Sequence, residues 1–219
     1  GSLSRLLQLD GARLYHRRAR GPLVYRVELL SPVSAIVQGH ADELSPAVAF
    51  VVGSALAAAT APCAYVESLE GEELDRLLQG LLAAFGPVHT EGEAAPEPRV
   101  DVAQLAQDLW SVIRGADERT VRELCYDPQR VTSGVARLGA GRARRRAGLF
   151  ACGDLLTALV QTAAELDVSS SRPLQDPDSL RDLCTHPSLA NLLDLALDPA
   201  FAECRWLRAS LPPPPSQMR

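Results

Sequence analysis

The run from Ser45 to Pro62, SPAVAFVVGSALAAATAP, limits what this chain can fold into more than any other segment. Ser45 is a good N-cap, and Pro46 suits a first helical position, where a missing N–H needs no acceptor. Behind them Val48, Val51, Val52, Ala55, Leu56 and Ala59 recur at helical spacing and make one apolar face. The opposite face is nearly apolar as well. A helix with no polar side has to be covered all round, so it belongs at the centre of a core. Gly53 and Ser54 are small enough to let another element approach closely. The pattern predicts a helix over Ser45–Thr60, ended by Pro62.

The flanking segments supply the layers that could cover it. Arg13 to Gln38 reads as β-structure: Leu23–Leu29 alternates in part, Val33–Val37 is a second β-branched run, and Pro32 between them marks a turn or an edge. Residues 3–9 read as a short helix. A helix is expected at about Gly71 to Phe85, striped by Leu74, Leu77, Leu78, Leu81 and Leu82 and stopped by Gly86-Pro87. Further helices are expected at about Val102–Arg114, Asp117–Cys125, from Pro128 through an Arg-rich stretch, Asp154–Leu166, Asp178–Cys184, Ser188–Leu197 and Pro199–Ala209. The acidic, Pro-containing segment 89–99 reads as a mobile loop, and residues 212–219, with four consecutive prolines, as a disordered tail. Gly1-Ser2 has the look of an expression scar. The expected fold class is α+β and predominantly helical, a small N-terminal sheet packed on a bundle of about eight helices, in one domain over residues 3–211.

Composition narrows the function classes. Of the 219 residues 47% are hydrophobic and only 5% aromatic, a balance of Leu, Ala and Val that favours helices. The formal net charge of −5 argues against non-specific attraction of the whole chain to nucleic acid or anionic lipid. Five cysteines (Cys63, Cys125, Cys152, Cys184 and Cys204) are an odd number, widely spaced and without a CxxC, which fits reduced thiols in the cytoplasm. No apolar run reaches the length of a membrane span.

Within the central helix, Val51-Val52-Gly53-Ser54-Ala55-Leu56-Ala57-Ala58 resembles the V-x-G-H-E-x-x-H frame of the HtpX-type zinc metallopeptidases, in which a strand precedes the helix carrying HExxH. In that frame Ser54 and Ala58 stand at the two ligand positions and Ala55 at the general base. The downstream segment Gly141 to Asp154 resembles the family's ExxAD helix. With Arg146 as the arginine after that motif, Gly141 takes the third ligand position and Arg145 the motif's Asp. The resemblance implies a gluzincin-like plan, and in bacteria such domains are often joined to tetratricopeptide or other adaptor segments. The chemistry, however, is missing. Zinc catalysis needs three protein donors, an open water position and a base. Ala and Gly have no donor atoms, a lone Ser hydroxyl is a poor ligand, and an arginine beside the site would repel a cation. No cofactor or metal is expected.

The remaining candidates are thinner. His16, His40, His89 and His186 form no HxH or HxxxH pair. A cysteine or serine could serve a hydrolase, since such pairs form in space rather than in sequence, but no GxSxG elbow surrounds Ser54, which reads as a packing residue. Arg142, Arg144, Arg145 and Arg146 are the one basic cluster recognised, able to hold carboxylates or phosphates or to serve as a solvated face. The function expected is therefore a non-catalytic protein-interaction or scaffold domain with a partner that could be acidic. The alternatives are a hydrolase with a Cys- or Ser-based site, and nucleic-acid or phosphate binding through Arg142–Arg146.

Overall fold

The computed structural model describes residues 13–40, 45–87, 99–113, 115–168 and 176–207, which form an α+β fold dominated by helices. The readings made at residues 1–2, 3–9, 89–98 and 212–219 lie outside the described residues. Alternation at the N-terminal end becomes three short strands: β1 (Arg13–Arg17), β2 (Val24–Glu28) and β3 (Ser34–Gln38). β3 lies in the middle, parallel to β1 and antiparallel to β2. Pro32 falls in the connection between β2 and β3, where its missing N–H costs no ladder bond.

The helices are α1 (Pro46–Ala58), α2 (Ala61–Ser68), α3 (Gly71–Phe85), α4 (Val100–Val112), α5 (Ala116–Cys125), α6 (Ser133–Cys152), α7 (Leu155–Glu165), α8 (Pro177–Leu183), α9 (Pro187–Leu197) and α10 (Pro199–Ala202). A short polar residue followed by proline opens four of them. Ser45 accepts from the Val48 N–H at 3.3 Å, Asp176 from Asp178 at 3.4 Å, His186 Nδ1 from Ser188 at 3.2 Å and Asp198 from Ala200 at 2.8 Å. In each case the side chain satisfies an orphan donor and the proline presets the first turn.

Three expectations change. The central helix stops at Ala58, and Pro62 is the second residue of a new helix, α2, rather than a terminator. Proline is as compatible with a first turn as with a stop. The helix expected from Pro128 divides into a 3-10 turn, Pro128–Arg130, and α6. There the Asp127 carboxylate accepts from Gln129 N–H and the Thr132 hydroxyl from Val135 N–H, so two local caps compete with a continuous helix. The last helix ends at Ala202 and passes into a π turn over Glu203–Leu207.

The described residues fall into two compact units, the first drawn from residues 1–64 and 141–219, the second from residues 65–140. In the first, the sheet lies against α1 through Ala35 and Val37, which face Phe50, Val51 and Ala55 in one apolar cluster. Leu149 of α6, Leu159 of α7 and Leu189 and Leu192 of α9 complete that core. The Phe150 and Phe201 rings meet edge to face with centroids 5.9 Å apart. α1 and α6 cross almost backbone to backbone. A Cβ on Gly148 would stand 2.5 Å from Ser54 Oγ, and one on Gly53 would stand 2.5 Å from the Ala151 Cβ. Gly153, at φ +65°, closes α6 in a left-handed conformation that favours glycine. Asp154 then caps α7 by accepting from Thr157 N–H at 2.7 Å.

In the second unit α3 packs along α4, with Gly80 against Leu105. Phe85 and Trp110 stack at 5.2 Å, and the Arg122 guanidinium sits 5.1 Å from the Trp110 centroid. That cation–π contact tethers α5 to the other two helices. Cys125 is buried beside the Leu81 carbonyl. Among the described residues of both units, no helix is long and apolar enough to cross a membrane.

Replacing Gly148 with Leu is expected to lower the unfolding free energy by about 3 kcal/mol or more, because the side chain has no room against Ser54 and Phe50. Urea denaturation followed by circular dichroism measures this, and an unchanged midpoint would mean the helices do not cross there.

Candidate functional site

The residues that carry the resemblance to zinc peptidases lie in the interior of the first unit. Ser54, Ala55 and Ala58 of α1 are 2%, 0% and 0% exposed. Ser54, which the resemblance would make the first ligand position, is pressed against Gly148 in helix packing. Gly141 is buried on α6 with the Arg145 guanidinium folded back over it, 3.0 Å from where its Cβ would be. At ~1.5 Å per residue, Gly141 lies roughly 10 Å along α6 from the Gly148 crossing. These four residues offer no carboxylate or imidazole, and the packing leaves no room for one at Ser54. The donor set does not fit zinc. Among the described residues no group of three or more His, Cys, Asp or Glu side chains converges as metal ligands.

The arginine cluster divides on folding. Arg142 remains exposed and Arg146 half-buried, whereas Arg145 is buried and Arg144 nearly so. Both inner arginines reach back to one carboxylate, Glu165 at the end of α7. Arg145 donates to Oε1 at 2.8 Å, and Arg144 donates to the same oxygen. Arg144 also donates to the Tyr25 hydroxyl at 2.8 Å, its guanidinium 5.9 Å from that ring, and Arg145 donates to Ser188 Oγ at 3.3 Å. One anion thus gathers two cations, a phenol and a serine from β2, α6, α7 and α9. Arg144 and Arg145 are structural cross-links, not part of a solvated basic face. The sequence left this open because Glu165 is twenty residues from Arg145, beyond any helical spacing.

Burial pushes the thiols of Cys125, Cys152 and Cys184 up from their ordinary range, away from the thiolate that a nucleophile needs. The Cys152 thiol donates to the Leu149 and Asp154 carbonyls. His16 Nε2 is 3.0 Å from the Gly39 carbonyl, and His186 caps α9. His40 is exposed at the end of the sheet, and His89 lies outside the described residues.

A different basic surface emerges on β1. All five of its residues, Arg13, Leu14, Tyr15, His16 and Arg17, are exposed, and Arg18 and Arg20 follow. The Arg13 guanidinium leans on the Tyr15 hydroxyl at 3.5 Å, a contact that holds it firmly in the charged form. Arg17 has no ion-pair partner among the described residues. The signal was present in the sequence: no acidic residue occurs from Gly11 to Val27, while five arginines do. The second unit adds two shallow grooves. One is polar, between the starts of α3 and α4 (Glu72, Asp75, Arg76, Arg99, Asp101), and one is apolar, near the end of α5 (Leu78, Leu124, Tyr126, Val135).

Glu165→Ala should destabilise the protein by about 2 kcal/mol, since it strands the buried Arg145 charge, and Glu165→Gln by less. Thermal melts of the two variants test this. Equal stability to the parent would show the cross-links to be idle. In the native protein a water-soluble maleimide should label exposed Cys204 at once and reach buried Cys63 and Cys125 only after denaturation, which mass spectrometry of the peptides would read.

No protein-family model matches the chain, no curated protein matches it, and no solved structure matches it.

Proposed function

We propose that this chain is a non-catalytic protein-interaction domain, built on a frame of metallopeptidase type whose catalytic positions have become core. The observation that carries this reading is the α1–α6 crossing. Ser54 is pressed against Gly148, Ala55 lies in the main core and Ala58 packs with Val27 and Ala64, so the place where the frame would put a cleft is filled by side chains. Two further features support it. The thiols with shifted pKa are held in the unreactive direction. The exposed surface carries large apolar side chains on several elements, Leu14, Tyr15, Leu124, Tyr126 and Leu197 among them, together with a concentrated positive charge on β1. Surfaces of that kind suit partners that are apolar in part and acidic in part.

After incubation with zinc and mild chelation, the protein is expected to keep well under about one metal per chain. Photo-cross-linking from surface positions in native extract should join it to a discrete second protein. Stoichiometric zinc retention, or cross-links to nothing but itself, would overturn the reading.

A further inference from the structure

β1 ends the sheet with a hydrogen-bonding edge that the described residues leave open. The bonds that bracket β1 fix which groups face which way. The Arg13 N–H donates to the Val33 carbonyl at 3.0 Å, and the Arg17 carbonyl accepts from the Gly39 N–H at 3.1 Å. Backbone groups of successive strand residues point to opposite sides. Arg13, Tyr15 and Arg17 therefore turn their N–H and C=O groups to β3, while Leu14 and His16 turn theirs away from the sheet.

The side chains sort by the same alternation. Arg13, Tyr15 and Arg17 lie beside Ser34, Ile36 and Gln38 on the outer face, and Leu14 and His16 share the face of Ala35 and Val37. The edge thus offers two outward donors, two outward acceptors, an exposed leucine and two arginines on one face whose Cα atoms are about 13 Å apart.

We propose that this edge accepts an extended, acidic segment of a partner protein as an added strand, with carboxylates meeting Arg13 and Arg17 and an apolar residue meeting Leu14. The inference rests on the interaction-domain reading and names its site and partner chemistry. Main-chain bonds supply affinity in strand addition, and alternate side chains supply selection. Guanidiniums favour carboxylates through paired, charge-assisted bonds. Antiparallel self-pairing is opposed by the same charges, since a copy centred on Tyr15 would set Arg13 against Arg17. A nucleic-acid strand would meet the positive charge but could not match the outward amides, and β1 gives it a single aromatic ring to stack on.

The test titrates the purified chain with a heptapeptide that alternates Glu and Val. Its control is the same peptide N-methylated on the residues whose N–H would face β1. An oligothymidylate serves as the nucleic-acid probe. The unmethylated peptide is expected to bind at least about tenfold more tightly than the methylated one. Binding should slow amide exchange at Leu14 and His16, while Tyr15, already in the β3 ladder, changes little. The Arg13→Glu/Arg17→Glu double variant should lose about tenfold or more in affinity and recover it toward a Lys–Val peptide. The peptide comparison leaves the protein unaltered, so a misfolded variant cannot obscure the result.

Equal binding of the methylated peptide, tighter binding of the oligothymidylate, or saturable binding of none would overturn the proposal. If cross-links to a partner persist in that case, the edge alone loses its role and the interaction reading stands. If the peptide binds as expected and no partner is found, the strand-accepting edge stands and the wider reading falls.

Discussion

Two helices can approach until their backbones nearly touch only where side chains have been reduced to hydrogens, and the first unit depends on one such place. Gly53 and Ser54 on α1 meet Gly148 and Ala151 on α6, with no Cβ on either glycine to hold the helices apart. Because α1 is apolar on almost every side, it can be stable only if each side is covered. The sheet takes one side, through Ala35 and Val37. α6 takes another by this close crossing, and α7 packs against a third. Ser54, which the metallopeptidase resemblance would make a ligand position, is one of the residues that make this fit possible.

Charge does for the rim of the unit what small residues do for its centre. Removing a guanidinium from water is expensive and is offset only when its donors find acceptors in good geometry. Glu165 serves Arg144 and Arg145 together, and Tyr25 and Ser188 take further donors. The arrangement fixes where the end of α7 lies relative to β2 and α9, because moving any one of them would leave a buried cation short of partners. Arginine suits this better than lysine would: a planar fork can reach several acceptors on different elements at once.

What the sequence made legible was local. Ser45-Pro46 announces a helix start because cap and proline are adjacent, and Gly71–Phe85 shows its leucine stripe and its Gly-Pro stop within one window. The failures were of two kinds. Pro62 carries the same local meaning whether it follows a helix or opens one, and only the chain beyond it decides. The roles of Arg144 and Arg145 turn on Glu165, and the openness of β1 turns on which strand lies next to it; neither relation has a period that a reading of neighbours can find. Strand order placed β3 in the middle, so the most basic strand became an edge. The second unit leaves no break in composition to mark where it begins or ends, because both boundaries fall inside helices, α2 and α6.

The first unit is assembled from two stretches of chain with the whole of the second unit between them. During synthesis α1 therefore leaves the ribosome long before α6 and α9 exist. At ~5–20 residues per second, the wait is on the order of ten seconds. For that interval the most apolar helix of the protein has only the small sheet to lean on, whereas residues 65–140 emerge in one piece and can fold at once. The nascent chain thus passes through a stage in which its later-begun unit is finished and its first-begun unit is an open hydrophobic surface, the condition in which holding chaperones matter most. A lesion in α9, far down the chain, would prolong that exposure indefinitely.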